Sequence, residues 1–376
     1  MCVHCEKTEM KRIWTASHAT KCKVAVIGGG MGGYSVLRAV SRRFPDDTLL
    51  VEPKSVHYFP AIFSRIGTLV RDISKPPLVY PKDLPFGAQW MRDEVSHFCP
   101  EENWFLTVSE QKVDYDYLVL ATGLAVNLQD IKGLESSLGK NGVSTSLVSE
   151  QTPIMKDCFE NFSGGHMVFT VPAGPIKCSA RPERWIAFAD DLLRAKRIRS
   201  HSRISLYVAS SGDDFSRTYE KQLREKCDHL DVEMHSRYSL MEILGHERIA
   251  VFQSPEGETV RVSFDLMYVT PPMHPQAIMR ECGPPLATTD GWVRINERTM
   301  RHVVFPNVYA LGDCTSLPTT SSAASLQAQA QVLKCNLLAD AGCPDSSAKT
   351  FQFEEYAHDE DGGYAEEVTI ETTASI

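Results

Sequence analysis

The chain has 376 residues, long enough for two domains with substantial cores. Its 43% hydrophobic and 23% charged composition is that of an ordinary globular protein, and a net charge of −9 argues against a nucleic-acid partner. No apolar run reaches the ~18–20 residues needed to span a bilayer, and 11 scattered cysteines, an odd number, read as mostly reduced thiols and not as a disulfide framework.

In chain order, residues 1–21 form a leader expected to be flexible. It carries Lys7, Lys11, Arg12 and Lys21 but also Glu6 and Glu9, whereas a mitochondrial presequence is Arg-rich and poor in acids. Cys2-Val3-His4-Cys5 has ligand-like spacing, but with no second pair nearby no metal site is expected. Val24 to Ile27 reads as a buried parallel strand, Gly28 to Gly33 as a glycine turn, Gly32 to about Phe44 as a helix and Leu49 to Glu52 as a second strand. Together they make a βαβ unit that ends in an acid. His57-Tyr58-Phe59-Pro60 is an aromatic turn; Gln89 to Val95 reads as a strand, Asn103 to Val113 as a hairpin, and Tyr115 to Gly123 as a buried strand closing in an Ala-Thr-Gly turn.

A second unit begins near Gly164. It runs through a strand (Met167 to Val171), a helix over Arg184 to Arg197 with Trp185, Phe188, Leu192 and Leu193 on one face, a strand (Ile204 to Val208), a helix (Tyr219 to Cys227) and a strand (Phe264 to Val269). Val303 to Leu311 then leads into Gly312-Asp313-Cys314 and a helix over about Ser321 to Leu338. Acidic residues crowd the end of the chain, so residues 341–376 are expected to be a disordered tail. The fold class is α/β, with two Rossmann-like domains of the FAD/NAD(P)-binding type around parallel central sheets. Residues 22–135 with 300–340 would form the first domain and 136–299 the second.

The first turn has a clear mechanism. Gly28 permits the tight turn, Gly30 lets backbone approach a pyrophosphate, and Gly33 allows close packing of helix on strand, while free N–H groups at the helix start stabilise the anion. Glu52, 24 residues after Gly28, can bind adenosine ribose hydroxyls. Two later features point to a flavin: the Ala121-Thr122-Gly123 turn, and Asp313, which can meet a ribityl chain. Taken alone, Asp313 also suits a turn cap.

In the second half the glycines are missing. Met167 to Val171 turns through Pro172-Ala173-Gly174-Pro175-Ile176-Lys177-Cys178, and a cysteine stands where a second nucleotide's phosphates would be cradled. Lys177, Arg181 and Arg184 near a helix start would favour a nucleophilic thiolate at Cys178; an inert buried thiol is the other reading. The segment disfavours a pyridine nucleotide. Cys314, next to Asp313, is a second candidate thiol, equally open to a packing role.

These segments resemble the mitochondrial-type sulfide:quinone oxidoreductases, members of the two-dinucleotide-fold disulfide reductase superfamily. The resemblance rests on Gly28 to Gly33 with Glu52-Pro53, on His57-Tyr58-Phe59, and on Phe169-Thr170-Val171-Pro172 through Lys177-Cys178. It continues in Val269-Thr270-Pro271-Pro272-Met273, Gly291-Trp292-Val293, and Pro306-Asn307-Val308 through Gly312-Asp313-Cys314-Thr315-Ser316-Leu317-Pro318-Thr319, over roughly residues 16 to 340. It implies FAD contacts at Met31, Gly32, Glu52, the Val95 backbone, Asp313 and the helix start at Ala323-Ala324. It also implies that Cys178 is a redox cysteine beside the flavin. Hydrogen sulfide would be oxidised to cysteine-bound sulfane sulfur, a thiol acceptor such as glutathione would remove the sulfur, and ubiquinone would take the electrons, in the mitochondrion at the inner membrane.

The sequence departs from the family in several places. The family's second redox cysteine lies in a Tyr-x-Gly-x-x-x-Cys-Pro segment, whereas Phe351 to Asp359 here contains no cysteine. Pro60 replaces a glutamine, Ser321-Ser322-Ala323 replaces Lys-Thr-Ala, and the acidic tail stands where the family has its quinone-pocket and membrane-docking segment. Weak membrane docking is therefore expected, and a flavin-binding member without turnover is the alternative reading.

Overall fold

A computed structural model describes residues 21–57, 78–80, 82–148, 151–177, 182–209, 217–317, 323–343, 347–354 and 367–372. The chain divides into two compact units: Met1–Phe59, Pro76–Ala125 and Pro275–Ile376 form the first, and Pro60–Lys75 with Val126–His274 the second.

The first unit is built on a seven-stranded sheet. Its strands run in the order Ala88–Met91, Thr48–Val51, Lys21–Ile27, Lys112–Leu120, Trp104–Thr107 and Val95–Cys99, with Val308–Ala310 also paired to Lys112–Leu120. The last two strands of that order are antiparallel additions; the others, including Val308–Ala310, are parallel. A parallel strand covered on both faces needs a continuous apolar run. Val24, Ala25, Val26, Leu49, Leu50, Leu118, Val119 and Leu120 are all fully buried, as that requires. The helices Met31–Val40 and Ala323–Asp340 pack Val36, Leu37, Val332, Leu333 and Leu337 into one core on this sheet. Gln89 to Val95, expected as one strand, is two: Ala88–Met91 and Val95–Cys99 are split by a turn in which the Asp93 N–H donates to the Met91 carbonyl at 3.0 Å.

The second unit has a five-stranded, all-parallel sheet. It runs from Val143–Ser144 through Leu266–Tyr268, Gly165–Val171 and Ser202–Val208 to Glu233–Ser236, and carries helices Pro182–Ala195 and Arg217–His229. A separate antiparallel sheet of Ser239–Leu244, Ile249–Gln253 and Thr259–Ser263 was not expected from the sequence. Asp190, buried on the first of these helices, anchors the unit through Arg199, whose Nε donates to Oδ1 at 2.7 Å.

The tail expected to be disordered holds two strands among its described residues. Strands Lys349–Glu354 and Glu367–Thr372 pair antiparallel, with Phe351 opposite Ile370 and Phe353 opposite Val368. The acid count masked this alternation of apolar positions. Asn336 holds the first of the two strands, since the Lys349 N–H donates to its Oδ1 at 2.7 Å. Among the described residues no helix is long and apolar enough to cross a membrane.

Candidate functional site

Five parallel strands of the first unit end level with one another. Met91 is the register partner of Val51, Val51 of Ile27, Ile27 of Leu120, and Leu120 of Ala310. The next residues along the five strands therefore line one edge: Arg92, Glu52, Gly28, Ala121 and Leu311. Ligands of open parallel sheets bind in the crevice beyond such carboxyl ends. Gly28, Glu52, Ala121 and Leu311 each donate a backbone N–H to the neighbouring strand, at 3.0, 3.1, 2.9 and 3.2 Å. The line is fixed by the sheet itself.

Local geometry shows why the turn needs its glycines. Gly28 has φ +103°, and a Cβ there would stand 2.4 Å from the Ala121 carbonyl oxygen. At Gly30 a Cβ would meet nothing within 4 Å, so backbone faces open space just ahead of the helix Met31–Val40. That space fits the close approach of a pyrophosphate to free N–H groups. Gly32 lies against Leu311 and Leu326, where a Cβ would be 3.4 and 3.3 Å from their side chains, so the turn and the Gly312-Asp313 block meet. Gly33 packs directly beneath Gly28.

Glu52 is buried, 7% exposed. Its Oε2 accepts the Gly29 N–H at 2.7 Å and its Oε1 the Lys54 N–H at 2.8 Å, which aims the carboxylate at the glycine turn and leaves lone pairs for hydroxyl donors. The sequence offered no reason for Gly29, nor any role for Tyr80 or Trp90. A Cβ on Gly29 would lie 2.9 Å from both Glu52 Cγ and Tyr80 Cε2. The Tyr80 hydroxyl donates to the Gly29 carbonyl at 2.9 Å, and Trp90 Nε1 donates to the Glu52 carbonyl at 2.8 Å. Burial first, then the Glu52 charge, raises the pKa of Tyr80, so its hydroxyl stays protonated and donating. His57 Nε2 is 3.5 Å from Glu52 Oε2, and burial above all lowers the pKa of that imidazole. No local pattern could have revealed Tyr80, which is 51 positions from Gly29 and reaches it only through the fold.

The remaining expected residues fall as follows. Val95 opens its strand and is buried. Asp313 sits half-buried in the helical turn Gly312–Cys314, at the level strand end, and the Gly312 N–H donates to Gln329 Oε1 at 2.8 Å. Ala323 and Ala324 are the first two residues of the helix Ala323–Asp340. Cys314 is fully buried in the core, its thiol donating to the Leu311 carbonyl at 3.3 Å, and burial pushes its pKa up to about 11. That setting opposes thiolate chemistry.

Cys178, Arg181, Tyr58 to Pro60 and the leader up to residue 20 lie outside the described residues, while Lys21 already belongs to the first strand. Before Cys178, Gly174 has φ +86° with open space around it, and the Lys177 N–H donates to Met273 Sδ at 3.4 Å. Arg184 is exposed on the helix Pro182–Ala195.

Comparison with known proteins agrees with this geometry. The family described as pyridine nucleotide-disulphide oxidoreductase matches residues 22–153. A mitochondrial sulfide:quinone oxidoreductase of Dictyostelium discoideum is 33% identical over 323 residues, 84% of this chain and 70% of its own length. Two solved structures share the fold: a chain of the Tetrahymena thermophila mitochondrial ATP synthase (TM-score 0.75, 18% identity, 91% of this chain and 85% of that one), and the sulfide:quinone oxidoreductase of Aquifex aeolicus (TM-score 0.72, 17% identity, 94% and 87%). With a strand-end glycine turn, a buried carboxylate held against it and a relative matched over most of its length, the chain belongs to the mitochondrial sulfide:quinone oxidoreductase family.

Proposed function

We propose that this chain is an FAD-dependent enzyme that oxidises hydrogen sulfide and passes two electrons to ubiquinone, with glutathione or another thiol taking the sulfur. The balance is simple: one sulfide, one thiol and one quinone give one persulfide and one quinol, so two electrons and two protons leave the sulfur pair for the quinone. Bound FAD supplies the two-electron relay between these half-reactions.

The chain's own residues divide the work. Gly28, Gly30, Met31, Gly32 and Gly33 give the pyrophosphate a cradle of backbone N–H groups, and Glu52 accepts from the adenosine ribose. Val95, Asp313 and the helix start at Ala323-Ala324 complete the flavin site. Cys178 is the sulfur that meets sulfide, at a turn that has lost the glycines a nicotinamide binder would keep. The buried setting of Cys314 favours packing over redox work. The mitochondrial relatives support a mitochondrial location for this chain.

The single observation that carries this reading is the relative matched over 84% of the chain. A second reading, a flavin-binding member that does not turn over, is favoured by the lack of a cysteine between Phe351 and Asp359. Anaerobic titration of the FAD-loaded chain with sulfide, followed by a soluble ubiquinone analogue, separates the two. Loss of the long-wavelength flavin band with sulfide and its return with quinone supports turnover; retained FAD with an unchanged band supports the second reading.

A further inference from the structure

Around the glycine turn stands a second layer of side chains that the nucleotide-binding motif does not contain. Tyr80 and Trp90 are each 3% exposed and lie with ring centroids 5.8 Å apart. Tyr80 donates its hydroxyl to the carbonyl of Gly29, and Trp90 donates its indole N–H to the carbonyl of Glu52. The N–H of Gly29 in turn donates to the Glu52 carboxylate. The Gly29 peptide is thus held from both ends, by Tyr80 at its carbonyl and by Glu52 at its N–H. Tyr80 also fills the space a side chain at position 29 would need, which accounts for a glycine where the motif tolerates any residue.

We infer that Tyr80 is a positioning residue for the adenosine half of the cofactor: through Gly29 it fixes the direction of the Glu52 carboxylate, and Trp90 fixes the backbone of Glu52 from below. The inference rests on the flavin reading given above. A carboxylate already oriented pays no ordering cost when ribose hydroxyls arrive, so loss of the lock shows as weaker cofactor binding.

The test uses apoprotein of the full chain, titrated with FAD by fluorescence quenching. Tyr80→Phe keeps the ring and removes the hydroxyl. We expect its FAD affinity to fall about 5- to 10-fold, the effect of one lost hydrogen bond, while the apoprotein melts within a few degrees of the unaltered chain. In a double-mutant cycle with Glu52→Gln the two losses should be clearly less than additive, because Tyr80 acts through that carboxylate. Unchanged affinity in Tyr80→Phe, or additive losses in the cycle, would overturn the inference while leaving the flavin reading intact. An unaltered chain that binds no FAD would overturn that reading itself. Should Tyr80→Phe fail to fold, Trp90→Phe takes its place in the same cycle with the same two outcomes.

Discussion

A side chain on Gly33 would place its first carbon 1.9 Å from the carbonyl oxygen of Gly28, backbone that cannot move without opening the turn. Gly30, three residues earlier and just ahead of the helix, would meet nothing. The two glycines thus serve different ends. Gly33→Ala should destabilise the apoprotein, by about 1–3 kcal/mol as for other overpacked sites, and also lose flavin. Gly30→Ala should leave the apoprotein melting point unchanged and weaken only FAD binding. Melting curves and FAD titrations of both variants check this; equal effects on stability would contradict it.

Cys314 should be chemically silent. It is fully buried, and its thiol pKa is raised to about 11. Cys314→Ser is expected to retain sulfide-dependent flavin reduction, with a stability loss on the order of 1–2 kcal/mol from the polar group placed in an apolar core. Native protein treated with iodoacetamide near neutral pH should carry no label at this position by peptide mass. Labelling there, or loss of flavin reduction in the serine variant, would return Cys314 to the mechanism.

Mild acid should lower the protein's stability before its carboxylates titrate. His57, His166 and His302 all have pKa values below the ordinary 6.5, in each case because burial disfavours the charged ring. At His302 the Val304 and Phe305 N–H groups both donate to Nδ1 at 3.1 Å, so the proton sits on Nε2 and is donated to the Leu286 carbonyl at 2.9 Å. A second proton would break that arrangement. Folded histidines with lowered pKa take up fewer protons than unfolded ones once pH drops below 6.5, so falling pH favours the unfolded chain. The melting temperature should therefore decline from about pH 7.5 to about pH 5.5, and His302→Gln should flatten the decline. A midpoint that rises over this range would contradict the assignment.

Asp190 should be a structural staple of the second unit. Burial alone would raise its pKa, but hydrogen bonds from Arg194 and Arg199 bring it below the usual carboxylate range. Arg199 is itself largely buried and also donates to the carbonyls of Ser202, Leu230 and Asp231. Asp190→Ala leaves that guanidinium only the exposed Asp231 carboxylate, 3.6 Å away, and should cost about 3 kcal/mol, read by urea unfolding. A loss under about 1 kcal/mol would place the pair with ordinary surface bridges.

The parallel strands and the glycine turn were legible in the sequence because their signals are local. Val24 to Ile27 and Leu118 to Leu120 are continuous apolar runs, and Gly28 and Gly33 stand at the spacing that turn sterics demand. The antiparallel sheet from Ser239 to Ser263 was missed because a bulge between Leu240 and Glu242 breaks the alternation of its first strand, and its pairing is settled by tertiary contact. The tail strands do alternate, but the many acids around them hid the pattern. Tyr80 and Trp90 could not be found at all from spacing, since the residues they hold lie 51 and 38 positions away.

The most direct measurement compares the FAD-loaded chain with its Cys178→Ser variant under anaerobic sulfide, watching the long-wavelength flavin band. The unaltered chain should bleach, and the variant, with FAD still bound, should stay fully oxidised. Equal bleaching of the two proteins would remove Cys178 from sulfide oxidation.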